Sequence, residues 1–147
     1  MSGNTLYTIG FTKKNAKTFF GKISKVGVKT LIDVRLNNVS QLAGFAKRDD
    51  LIYFLNKLCS CNYRHIPEMA PTKEILDPYK KKEISWQDYE LKYNSLIKNR
   101  KVEKYVSEAD LNLACFLCSE HTPDNCHRRL LSEYFIKIYP DLTVKHL

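Results

Sequence analysis

Two segments within a span of twelve residues, Cys118-Ser119-Glu120 and Cys126-His127-Arg128-Arg129, together carry two thiols, a carboxylate, an imidazole and two guanidiniums. A cysteine at a helix N-terminus or beside a cation is held partly as thiolate, the nucleophilic form. Guanidiniums grip phosphate or carboxylate as a planar fork, and glutamate and histidine carry protons. Together these types point to attack by Cys118 or Cys126 on an anionic substrate, with Glu120 or His127 moving the proton. Zinc ligation competes with that reading, because Cys118, Cys126 and His127 with Glu120 or His65 form a conceivable ligand set. Adjacent helical residues rarely aim at one ion, which places the metal reading second.

The elements that position these groups are legible on either side. Leu113 to Leu117 is a continuous apolar run, the pattern of a strand covered on both faces. Leu130, Leu131, Tyr134, Phe135 and Ile138 recur at helical spacing, and that helix is expected to start at Thr122 with Pro123, or with Asp124 as its cap. Reactive groups at such a junction lie at the carboxyl end of a parallel sheet, where open α/β folds bind ligands. Cys115 and Cys118 have CxxC spacing, but inside a strand they lack the helix N-terminus that a redox pair needs.

Upstream, Leu6 to Ile9 reads as a strand ending at Gly10, Ala16 to Val26 as a helix stopped by Gly27, and Lys29 to Val34 as a second strand. That is a strand–helix–strand unit with a right-handed crossover. Leu36 to Ala46 reads as a long loop. A helix capped by Asp49 or Asp50 follows through Leu51, Phe54, Leu55 and Leu58, and then a strand from Asn62 to Ile66 closed by Pro67. Pro71 to Tyr79 reads as irregular, with at most a helical turn. Ser85 to Asp88 resembles a capping box before a helix whose stripe is Trp86, Tyr89, Tyr93, Leu96 and Ile97, better suited to core than to base stacking. A last strand covers Leu142 to Lys145. The expected fold is α/β: one domain over residues 1–147, a three-layer sandwich with a mostly parallel sheet of about five strands and helices on both faces.

In such a sheet the polar groups after each strand share one edge: Thr12, then Asp33 and Arg35, then His65, then Cys118 and Glu120. Arg35 and Arg128 are the natural anion clamps, with Thr12 and His65 as further anion-binding groups. Asp33 is either a general base or the group that orients Arg35, and a salt bridge from Arg35 to Asp33 or Glu120 remains equally open. If these residues serve chemistry alone, Cys118→Ser and Arg35→Ala remove turnover and leave thermal unfolding nearly unchanged.

A chain of 147 residues with net charge +8 and pI near 9.2 favours an anionic partner, although its lysines are spread over many segments. Five cysteines, an odd number at irregular spacing, argue against a disulfide framework, and Cys59 and Cys61 read as buried structural thiols. No segment has the length of a membrane span or the pattern of a secretory leader, so a cytoplasmic location is expected. No cofactor follows from the motifs.

Thr8-Ile9-Gly10, Leu31-Ile32-Asp33-Val34-Arg35, Tyr63-Arg64-His65 and Leu117-Cys118-Ser119-Glu120 with Cys126-His127-Arg128-Arg129 resemble domain of unknown function family 488 (DUF488). Ser40 to Phe45 and Ala70 to Lys73 resemble one branch of that family. Its opening motif often continues with His-Ser, where this chain has Phe11-Thr12. The resemblance implies a small α/β domain and marks Asp33, Arg35, Cys118, Glu120, Cys126, His127 and Arg128 as motif positions. It implies no activity. The leading expectation is an enzyme acting on a phosphate-bearing substrate, a nucleotide or nucleic acid. The alternative is a non-enzymatic nucleic-acid-binding or adaptor module, with or without a structural metal.

Overall fold

A computed structural model describes residues 3–38, 44–119 and 124–147. Glu120, His121, Thr122, Pro123 and the motif residues Ser40, Gln41, Leu42 and Ala43 lie outside them. Five strands form one all-parallel sheet in the order β3-β2-β4-β1-β5: β1 Thr5–Gly10, β2 Thr30–Asp33, β3 Asn62–His65, β4 Ala114–Cys118 and β5 Thr143–His146. The alternation of strands with helices had implied this parallel sheet, and the two-sided apolar runs explain why β4 lies at its centre.

Side-chain alternation along the strands divides the core into two layers. Tyr7, Ile9, Leu31, Cys115 and Leu117 pack against Phe19, Phe20 and Ile23 of α1 (Ala16–Val26) and Leu51 of α2 (Arg48–Phe54). Leu6, Ile32, Phe116 and Cys118 face the other way. They meet α4 (Trp86–Arg100) through Tyr89, Tyr93 and Ile97, and α6 (His127–Ile138) through Leu130, Leu131 and Phe135. Cys115 and Cys118 are three apart in a strand and therefore belong to opposite layers, which removes the CxxC reading.

Helix α1 has the expected bounds, with the Asn15 side chain accepting from the Thr18 N–H and Gly27 closing it at φ 72°. A Cβ at Gly27 would meet nothing within 4 Å, so Gly27→Ala loses only the left-handed backbone preference. Its expected cost is about 1 kcal/mol, read as a shift in urea midpoint at unchanged slope. The capping box of Ser85 and Asp88 starts α4, as its sequence had suggested.

Three elements differ from expectation. Helix α2 starts after Lys47 without a side-chain cap, so neither Asp49 nor Asp50 caps it; both sit in its first turn, and the chain continues as a π-helical turn over Leu55–Cys59. The segment read as irregular is helix α3, Lys73–Lys80, with Pro78 in its last turn. A second short capping box, Ser107 with Asp110, opens α5 (Glu108–Leu111) just before β4.

Candidate functional site

The carboxyl ends of β1, β2 and β4 lie side by side: Gly10 is level with Cys118, and Asp33 with Leu117. Just beyond this edge Arg35 is only 2% exposed and Asp33 fully buried. Arg35 Nε donates to Asp33 Oδ1 at 2.8 Å and Nη2 to Oδ2 at 2.8 Å. The Arg35 backbone N–H also donates to Oδ1 at 3.1 Å, and the Tyr63 hydroxyl donates to Oδ2 at 2.6 Å. Asn38 Nδ2 in turn donates to that hydroxyl at 3.0 Å. Burial, reinforced by the Asp33 carboxylate, pushes the Tyr63 phenol well above its ordinary range. Asp33 thus accepts four hydrogen bonds and orients Arg35, which removes it as a general base.

Arg35 Nη1 is buried and has no hydrogen-bond partner among the described residues. Buried donors are satisfied almost everywhere in proteins, so an orphaned guanidinium N–H marks a place for a missing acceptor. The Arg35 guanidinium carbon also lies 5.6 Å from the centre of the Phe11 ring.

Arg35 borders a cleft of about 630 Å³. The cleft is lined by Arg35, Cys118 and Ser119, and by the start of α6 with Asn125, Cys126 and His127. Helix α3 also lines it, through Lys73, Leu76, Asp77 and Lys80, which fall at one-face spacing. Helix α4 holds that side in place. Arg100 Nη1 donates to the carbonyls of Glu68 and Ala70 at 2.8 and 3.1 Å, and the Tyr93 hydroxyl donates to that of Met69 at 2.6 Å. Tyr89 and Tyr93 are buried in the core, in keeping with the stripe's expected role.

Helix α6 begins later than its sequence suggested: Cys126 is the N-cap and His127 the first helical residue, while Asp124 lies before the cap. Among the described residues no side chain caps this end. The first turn of a helix carries N–H groups that the helix itself does not use, a site for anions.

Cys118 and Cys126 form a disulfide across the rim, their Cα atoms 7.5 Å apart, while Cys59, Cys61 and Cys115 remain thiols. The odd cysteine count is therefore one pair plus three. Burial pushes the Cys61 thiol up to about 12 and raises Cys115 and Cys59, in accord with structural roles. Arg128, fully buried, donates from Nη1 to Cys118 Sγ at 3.3 Å, so it meets the site through sulfur.

The other expected groups brace the scaffold. His127 Nε2 lies 2.7 Å from the Val34 carbonyl, so this nitrogen is the donor and the ring is committed. Burial, helped by Arg128, lowers its pKa from 6.5 to about 4, outweighing the Val34 bond and Asp33. His127 is neutral near pH 7, and its Nε2 bond holds β2 to α6. The unfolded chain protonates this histidine below pH 6.5 and the folded chain only near pH 4, so stability falls as pH falls across that window. The expected loss is roughly 2 kcal/mol, seen in urea melts at pH 7 and 4.5, and the His127→Gln variant should lose correspondingly less.

His65 Nε2 lies 3.1 Å from the Arg35 carbonyl, and Thr12 bonds the Ser119 carbonyl through both its backbone N–H and its hydroxyl. Neither is among the described residues that line the cleft, and these bonds brace the chain beside Arg35 and Ser119. Glu120 lies outside the described residues. Among the described residues no three His, Cys, Asp or Glu side chains are grouped to hold a metal ion. The same residues include no helix long and apolar enough to cross a membrane.

Sequence reasoning passed over Tyr63, Asn38 and the α3 stripe. Tyr63 had a signal: it alternates with His65 on the strand beside β2. The α3 stripe was hidden by Pro71 and Pro78.

Fold and rim together define a parallel α/β domain with a cysteine–arginine cleft at the carboxyl edge of its sheet. The family model for the domain of unknown function DUF488 matches residues 15–135, and the chain belongs to that family. No curated protein and no solved structure matches it.

Proposed function

We propose that the protein is an enzyme acting on a phosphate-bearing substrate, a nucleotide or nucleic-acid phosphate, with Cys118 as nucleophile. The observation that carries this reading is Arg35, locked by Asp33 and Tyr63 on the cleft lining with Nη1 lacking an acceptor among the described residues. A phosphate oxygen supplies that acceptor, and the start of α6 offers further N–H donors.

Catalysis first requires the disulfide to open. One equivalent of a dithiol reductant is oxidised as the two cysteines become thiols. Arg128 beside Cys118 favours its thiolate. The thiolate attacks phosphorus, an S–P bond forms, and the P–O bond to the leaving group breaks. The departing oxygen takes a proton, a role for which Glu120 is the candidate. Water then cleaves the S–P bond, releasing phosphate and regenerating the thiol.

The test is phosphate release from nucleoside phosphates and from 4-nitrophenyl phosphate. Turnover should appear after dithiothreitol treatment, be absent before it, and vanish on alkylation of the reduced protein with iodoacetamide. Reduced protein that turns over none of these, yet binds nucleic acid with an affinity falling steeply with salt, would instead be the non-enzymatic nucleic-acid-binding module.

A further inference from the structure

We infer that helix α3 is the specificity wall of the cleft and that the ligand is a mononucleotide, its phosphate at Arg35 and its nucleoside against α3. This deepens the proposed phosphate reading and rests on it. Lys73, Leu76, Asp77 and Lys80 form one stripe roughly 10 Å long on the cleft side of α3. None of the three charged residues is in an ion pair among the described residues. A carboxylate is a poor neighbour for phosphate and a good acceptor for hydroxyl and amino groups. Asp77 therefore marks the wall as the end that takes a ligand's donors.

Apolar surface lies beside it. Leu76 and Tyr79 are half-buried on the cleft, and Leu36, 38% exposed, stands at its edge. Tyr79 is held by ring contacts to Trp86 and Tyr89, with centroids 5.7 and 5.0 Å away. A fixed aromatic ring with two leucines suits a flat, weakly polar group such as a base. The cleft thus has an anion end, a donor-accepting wall and an apolar surface. Nucleoside monophosphates carry all three complements, whereas inorganic phosphate and sugar phosphates lack the base. At about 630 Å³ it is a concave small-ligand site, not a surface for a duplex.

The experiment is calorimetric titration of the full-length Cys118→Ser variant in reducing buffer, which binds without turnover, with inorganic phosphate, ribose 5-phosphate and the four common nucleoside 5′-monophosphates. At least one nucleotide should bind about tenfold or more tighter than ribose 5-phosphate, and inorganic phosphate should compete with it. Asp77→Ala and Leu76→Ala should each weaken the nucleotide severalfold and leave inorganic phosphate unchanged. Phosphate that binds and competes while no nucleotide exceeds ribose 5-phosphate would overturn the mononucleotide inference and leave the phosphate reading standing. Absence of phosphate binding, or nucleotide binding that phosphate does not displace, would overturn both.

Discussion

Replacing Asp33 with alanine is expected to cost about 3–5 kcal/mol of folding stability, seen as a fall in Tm of roughly 10 °C. The aspartate is fully buried and accepts from Arg35 three times and from Tyr63 once. Its removal leaves a nearly buried guanidinium without its counter-charge and a half-buried hydroxyl without its acceptor. Both penalties fall on the folded state alone, because the unfolded chain hydrates these groups. Tyr63→Phe removes only one of the four donors, for an expected loss of about 1 kcal/mol. Equal small losses in both variants would show that the pair is solvated in solution and does not fix Arg35. The same reasoning revises the expectation that Arg35→Ala leaves unfolding unchanged: that variant strands the Asp33 carboxylate inside the protein.

The second large effect is on turnover. Cys118→Ser should lower phosphate release by about 10³-fold or more, since a hydroxyl has no comparable fraction of anion at neutral pH. The comparison belongs in reducing buffer, where wild type and variant both lack the Cys118–Cys126 disulfide and differ by one atom. Under those conditions their unfolding midpoints should agree within a few degrees. Matched loss of turnover and stability would put the sulfur in the packing of β4 against α6. Undiminished turnover would transfer the nucleophile's role to another group.

Local pattern carried the fold a long way and the site only part of it. Helix α1 and the Ser85 start of α4 are written in their caps, and β4 in its unbroken apolar run. Parallel strands then bring the residues after β2 and β4 to one edge, because every strand runs in the same sense. What was not legible depends on distance across the fold. The strand order and the Cys118–Cys126 pairing follow from how elements far apart in sequence pack together, which no local pattern records. The start of α6 at His127 lies beyond two plausible caps, and nothing local ranks Cys126 above Asp124. Asp33 looked like either base or orienter until Tyr63 took its remaining lone pair. His127, chemically apt as a proton carrier, is committed by burial and by Val34. Helix α3 was hidden because Pro78 discourages a helix reading, although a proline in a last turn is tolerated more readily than one in mid-helix.

The most direct measurement is a crystal structure of the reduced protein soaked in vanadate or inorganic phosphate. An anion seated on Arg35 Nη1, facing Cys118 Sγ and the first turn of α6, is the expected result. A cleft that stays empty at saturating anion, or an anion held only by surface lysines away from Arg35, would contradict it.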